Sequence, residues 1–135
     1  MTWAPTEAQK SIYEVLSSDA ALTTLIGAGK VFDNVPDNTP YPYVVIYILP
    51  FIDRGNHTLE GLECEFQISV WNQERGNLPV QNIQKRIDEL LHKAEPCIDG
   101  WNITGLRRTF IDIVTDTDNI TKQGIQRFRL MIGES

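Results

Sequence analysis

Cysteine, histidine and long apolar runs are scarce in this sequence: its 135 residues include two cysteines and two histidines. Two cysteines cannot staple a disulfide scaffold, and the spacing from Cys64 to Cys97 fits no zinc pattern. No apolar run approaches the ~20 residues of a membrane span, and no charged-then-apolar segment opens the chain, so a soluble, cytosolic protein with no membrane partner is expected. Positive charge is also short. Twelve Lys and Arg stand against 18 Asp and Glu, a net charge of −6. Sequence-specific binding of nucleic acid needs clustered bases to displace counterions, and this balance argues against it.

What is present is ordinary for a folded chain: 41% hydrophobic and 22% charged residues. That composition argues against disorder, and the length predicts one domain over residues 1–135 with enough burial to need no staples. The charge is uneven. Residues 1–70 hold nine acids and three bases, whereas residues 71–135 hold nine of each. The excess is therefore N-terminal, with Glu60, Glu63 and Glu65 close together, and such a field bears on what a surface attracts or repels rather than on fold.

Pro5 suits the first turn of a helix, and Ala8, Ile12, Val15 and Leu16 follow at helical spacing to about residue 17. Ser18 or Asp19 can cap a second, short helix through Leu22, Leu25 and Ile26, which Gly27 ends. Val31-Phe32-Asp33 reads as a short strand. Pro36 to Pro42 holds three prolines and is an extended loop. Tyr43 to Leu49 is the most β-prone run, predicted to stop at Pro50, with a mobile connection from Phe51 to Thr58. Leu62, Cys64, Phe66, Ile68 and Val70 alternate with Glu63, Glu65, Gln67, Ser69 and Trp71, the pattern of a strand covered on one face. Gly76-Asn77 and Pro79 open a helix whose stripe Val80, Ile83, Ile87, Leu90, Leu91 and Ala94 runs to Pro96. Strands over about 105–115 and 124–132 follow, joined through Asp116 to Asn119. The order α-(α)-β-β-β-α-β-β predicts an α+β fold, a mainly antiparallel β-sheet with helices packed on one face.

Several local patterns carry less chemistry than they suggest. Gly27-Ala28-Gly29-Lys30 lacks the first glycine of a phosphate loop and has valine where the metal-holding hydroxyl should stand, so it reads as a helix-ending turn. A catalytic pair of Cys64 or Cys97 with His57 or His92 is disfavoured, because Cys64 lies on an apolar strand face and His92 lies off the apolar helix stripe and looks solvated. Asp112, Asp116 and Asp118 lack the glycine and terminal glutamate of a calcium loop and read as turn formers. The three Asn-X-Thr sequons at Asn56, Asn102 and Asn119 carry nothing in a cytosolic chain. Arg107, Arg108, Arg127 and Arg129 have too little aromatic interleaving for a nucleic-acid platform and read as cross-strand partners of acids. No catalytic, cofactor or metal site emerges, so a binding or assembly component is expected rather than an enzyme.

Asp19-Ala20-Ala21-Leu22 with Leu25-Ile26-Gly27, Lys30-Val31-Phe32-Asp33-Asn34-Val35-Pro36, Pro42-Tyr43-Val44-Val45-Ile46, Val70-Trp71, Arg75-Gly76 and Gly124-Ile125-Gln126-Arg127-Phe128 occur in this order over nearly the whole chain. In order and spacing the sequence resembles the tail-completion, or tail-terminator, proteins of long-tailed phages and prophages. The resemblance implies an α+β virion protein that assembles with itself as a ring, usually a hexamer, in the host bacterial cytoplasm. Such a ring caps the tail tube protein, ends tail polymerisation and presents a surface to the head–tail connector or head-closure protein, while DNA passes through without sequence-specific binding. It implies no catalytic residue and no cofactor. The acidic stretch Glu60 to Glu65 departs from the common pattern. Another neck component, such as a head-closure or minor tail protein, is the alternative within the same class; a small metal-dependent hydrolase or nuclease using the turn aspartates is the alternative outside it.

Two surfaces are singled out. Tyr41 and Tyr43 are amphipathic anchors on a backbone stiffened by Pro40 and Pro42, expected at a subunit or tube interface, with the alternative that Tyr43 only starts a strand and packs locally. Glu63 and Glu65 project from the polar strand face, expected either to line the ring channel, where they would repel phosphates, or to meet Arg127 and Arg129 of the same or an adjacent subunit.

Overall fold

Pro5 opens α1 (Ala4–Ser17), where a missing N–H leaves no helical hydrogen bond unmade. The computed structural model describes residues 3–56, 58, 60–96 and 98–134. Ala8, Ile12 and Leu16 fall on one face of α1 and are buried. Asp19 then caps α2 (Ala20–Ile26), its Oδ2 accepting the Leu22 N–H at 2.8 Å, and Gly27 ends the helix at φ 97°. The strands are β1 (Val31–Phe32), β2 (Tyr43–Asp53), β3 (Gly61–Gln73), β4 (Trp101–Thr115) and β5 (Thr121–Glu134), with α3 (Leu78–Leu91) between β3 and β4.

One five-stranded sheet results, in the order β1-β2-β3-β5-β4. β1 runs parallel to β2, and the other three pairings are antiparallel. The α+β class and the order of elements are those read from the sequence. All three helices contribute to the core against the apolar strand face of Val44, Cys64, Phe66, Ile68, Val70, Phe128 and Leu130. Each such Leu, Ile, Val or Phe contributes about 1.5–3 kcal/mol by burial. No helix among the described residues is long and apolar enough to cross a membrane.

Three boundaries differ from the sequence expectation. β2 does not stop at Pro50 but runs to Asp53, because its register against β3 shifts between Ile48 and Phe51. A bulge leaves backbone groups unpaired, so a residue without an N–H is tolerated there. Phe51–Asp53 is thus strand rather than mobile connection. α3 ends at Leu91 rather than running to Pro96, since the Lys93 N–H donates to Leu106 O at 2.9 Å and His92 Nδ1 accepts the Arg108 N–H at 3.1 Å. Bonds to β4 thereby replace another helical turn, and His92 is half-buried rather than solvated. β4 and β5 begin at Trp101 and Thr121, earlier than alternation alone indicates.

Asp19 also ties α2 to α3. Arg86 donates to it twice, from Nε at 2.9 Å and Nη2 at 2.7 Å, and the Asp19 side chain is 13% exposed. The guanidinium holds the Asp19 carboxyl down at about 2 against an ordinary 3.8, with burial opposing and the Leu22 N–H assisting. A carboxylate with a depressed folded-state value adds stability above its unfolded value and loses it as pH falls through the folded one. Asp19→Asn, which can still cap, is expected to cost about 2 kcal/mol at neutral pH. In chemical denaturation, the gap between native and variant should close as pH falls from about 4 to about 2.

Candidate interaction surface

Alternation along the strands leaves one sheet face to the helices and gives the other a lattice of long side chains. Residues opposite each other in register share a face. Across the helix-free face the register aligns Tyr43, Trp71, Gln123 and Val114; then Val45, Ser69, Ile125 and Asp112; then Tyr47, Gln67, Arg127 and Phe110. Glu65, Arg129 and Arg107 form the next row, and Ile52, Glu63, Met131 and Gly105 the last.

Its centre is stiff. Ser69 is fully buried among its neighbours, and its Oγ accepts from the side-chain amides of Gln67 at 3.1 Å and Gln123 at 3.2 Å. Arg127 donates to Gln67 Oε1 at 3.2 Å and stacks over the Phe110 ring at 5.3 Å. These bonds were not legible beforehand, since they need the β3–β5 register and not merely the alternation of either strand.

The charged candidates gather at one end of this face. Glu63 accepts from Arg54 Nε at 3.0 Å and from Arg129 Nε at 3.3 Å. Glu65 stands directly opposite Arg129 in the ladder and is exposed, with no ion pair among the described residues. Exposed pairs of this kind contribute about 0–1 kcal/mol each, so they orient side chains more than they hold the fold. Glu60 is not on this face. It lies just before β3, where its backbone exchanges hydrogen bonds with Glu134.

Tyr41 and Tyr43 sit at the opposite end of β2. Their rings stack at 5.2 Å, and Tyr43 meets Phe32 edge-on at 6.3 Å. Tyr41 is 38% exposed, whereas partial burial pushes the Tyr43 phenol above its ordinary value. Lys30 fixes the loop between β1 and β2, donating from Nζ to Pro40 O at 2.7 Å and to Pro42 O at 3.2 Å. The lysine of the glycine-rich turn is thus a strap for the proline loop, a role that requires β1 and β2 to be neighbours.

The remaining sequence candidates serve structure. Cys64 is buried in the core, and burial, with Glu63 and Glu65 alongside, pushes its thiol up to about 12, so it is no nucleophile at neutral pH. His57 and Cys97 lie outside the described residues. Asp118 accepts from the Ile120 and Thr121 N–H groups and from the Thr121 hydroxyl, which keep its carboxyl below the ordinary range. Asp116 likewise accepts the Thr117 N–H. These are turn-forming bonds of the β4–β5 hairpin. The chemistry on offer is contact: a broad, rigid, mixed-charge surface with aromatic margins.

Comparison with known proteins bears on the family and the fold. Residues 10–133 match the family described as Tail completion protein gp17. The chain is 29% identical over 140 residues to Tail completion protein gp17 of Bacillus phage SPP1, covering the whole of both. A structure of bacteriophage SPP1 gp17 is similar with a TM-score of 0.63 and 26% identity, over 95% of this chain and 91% of that one. A chain from the virion of a native gene transfer agent particle shares the fold more closely, with a TM-score of 0.88 at 21% identity over 98% and 99% of the two chains.

Proposed function

We propose that this chain, which belongs to the tail completion protein gp17 family and so has a structural role in a phage tail, caps the finished tail tube as a closed sixfold ring, ends tube polymerisation and joins the tail to the head-side connector. The mechanism is interface matching rather than catalysis. One face of the ring complements the tube subunit, and the other lacks the surface on which a further subunit would add. Heterologous contacts that close on themselves give a defined copy number.

The observation that carries this reading is the helix-free sheet face, a stiff lattice of tyrosine, glutamine, arginine and glutamate side chains. Its rigidity supports docking, because contacts that are already ordered lose less entropy on binding. Arginines stand among the glutamates, as in the Glu63–Arg129 pair. A face so balanced is a weak repeller of phosphate and a better partner for another protein's mixed charges. Tyr41 and Tyr43 extend this contact surface at its margin, while DNA passes the ring without sequence-specific contacts. Assembly takes place in the host cytoplasm before the virion is complete.

Light scattering over a wide concentration range, with and without tail tubes, tests the reading. A ring is expected to form on tubes even if free protein assembles weakly. A chain that stays monomeric and never binds tubes would overturn it. Tyr41→Ala is expected to lower tube binding by about tenfold, in the range of an aromatic contact residue, while leaving the melting temperature nearly unchanged. A large loss of monomer stability would instead show that the Tyr41–Tyr43 stack serves the fold alone.

A further inference from the structure

The sheet ends in two edges that stand at one height. β1 is the outer strand on one side and β4 on the other, in the order β1-β2-β3-β5-β4. The register links Val31 through Val44, Val70 and Gly124 to Ile113, and Phe32 through Val45, Ser69 and Ile125 to Asp112. β1 is parallel to β2, and three antiparallel pairings separate β2 from β4, so β1 and β4 run in opposite directions. A second copy placed side by side therefore brings its β1 level with, and antiparallel to, the Ile111–Ile113 stretch of β4.

Both stretches are open to a further strand. Lys30 O accepts the Val44 N–H at 2.9 Å, which turns the backbone groups of the next residue, Val31, away from β2. Among the described residues, no backbone hydrogen bond from the following loop reaches them. On β4, Lys93 and His92 close the edge at Leu106 and Arg108. Farther along, the Ile113 N–H donates to the side chain beside it, Asp112 Oδ1, at 2.8 Å. Such local cover is what an edge amide finds where no carbonyl faces it.

Each edge is flanked by a groove on the helix side. One of about 660 Å³ lies between α3 and β4, with Gln81, Lys85, Ile111 and Ile113 in its walls. The other, of about 570 Å³, lies between α1 and β1, with Gln9, Tyr13, Val31 and Asp33 in its walls. Tyr13 is 44% and Ile111 48% exposed.

We propose that β1 of one copy adds along the Ile111–Ile113 edge of β4 in the next, with Val31 opposite Ile113, so that one sheet runs on from subunit to subunit around the ring. The inference rests on the ring proposed above and names its contact. The two edges lie on opposite flanks, so the contact is heterologous and can close. The two grooves merge into one covered seam. In it Tyr13 covers Ile111 and Ile113, and the exposed Asp33, one residue past Phe32, faces the exposed Lys85. α1 packs on β1 and β2, and α3 on β3, β5 and β4. Helices across the join then stand about 12 Å apart at ~4.8 Å per strand, which leaves room for both. On the helix-free face Phe32 comes beside Asp112 and diagonal to the exposed Val114. A shared edge this short suits a ring that assembles on tubes and weakly in free solution.

Cross-linking on tail tubes tests it. Phe32→Cys with Asp112→Cys, in a Cys97→Ser background, should give disulfide-linked multimers when oxidised with copper phenanthroline, and each single cysteine variant should give none. In a second arm, Ile113→Pro removes an outward N–H that the β4–β5 ladder does not need, a change an edge strand tolerates. Ring yield on tubes is expected to fall about tenfold, with the melting temperature of the free protein nearly unchanged. If native rings form but no Phe32–Asp112 cross-link appears, this contact is wrong while the ring stands. A cross-link together with an Ile113→Pro variant that assembles like the native chain would overturn the shared strand pairing. If native protein forms no ring on tubes, the reading beneath it fails. Should either variant misfold by circular dichroism, the other decides alone.

Discussion

Phe128→Ala is expected to destabilise the protein by about 3–5 kcal/mol, a large share of the 5–15 kcal/mol that holds a typical domain. Phe128 has no exposed surface and stacks on Phe66 at 5.3 Å, with the two rings opposite each other in the β3–β5 ladder. The pair sits under the helices where the sheet core is deepest, so truncation leaves a cavity that rigid strands on both sides cannot close. Denaturant unfolding should show a lower midpoint at unchanged slope, and Phe128→Leu should recover more than half of the loss. A cost below about 1 kcal/mol would mean the aromatic pair is not central to the core.

The second large effect comes from a residue with no side chain. Gly124 lies on β5, and a Cβ there would stand 2.6 Å from Val80 Cγ1 and 2.7 Å from Gln84 Nε2 of α3. Strand propensity alone predicts that valine at this position would stabilise β5. The close helix–sheet approach predicts the opposite, a loss of about 3 kcal/mol or more for Gly124→Val and about 1–3 kcal/mol for Gly124→Ala. Combining Gly124→Ala with Val80→Ala should cost less than the sum of the single changes, because the second opens the space the first needs. Thermal melts of the native chain, Gly124→Val, Gly124→Ala, Val80→Ala and the double variant check both sign and coupling; a Gly124→Val variant as stable as the native chain would refute the close approach. Gln84 adds to the seam, donating to Asp112 O at 3.1 Å and accepting on its own carbonyl from Gln126 at 3.0 Å.

These two residues show what the sequence made legible. Phe128 stands in a clean alternation with Leu130 and Ile132, and period alone places it in the core. Gly124, by contrast, opens the predicted last strand with no pattern of its own; its role depends on α3 crossing β5 at that point. The same division holds for the rest of the fold. The helices, the strands and the helical cover on one face follow from periodicity and from Pro5, Gly27 and Pro79. The continuation of β2 through Pro50 and the early end of α3 do not, since each depends on a bulge or on bonds to a distant strand. At the candidate surface, alternation assigned Glu63, Glu65, Arg127 and Arg129 to polar faces. The sheet order then brings Glu63 to Arg129, leaves Glu65 exposed and gives Arg127 to Gln67 and Phe110. A groove between the start of α1 and β2 has no local signature, because its walls, Pro5, Ile48, Leu62 and Trp101 among them, come from α1, β2, β3 and β4 and meet only through the tertiary fold.

The central claim is that the protein acts by closing a ring on the end of a tail tube. Electron microscopy of tubes polymerised from tube subunits with and without it is the most direct measurement. The account predicts a closed ring at one end of each tube and no growth from that end when fresh subunits are added. Tubes that carry no terminal ring and continue to lengthen from both ends in excess protein would contradict it.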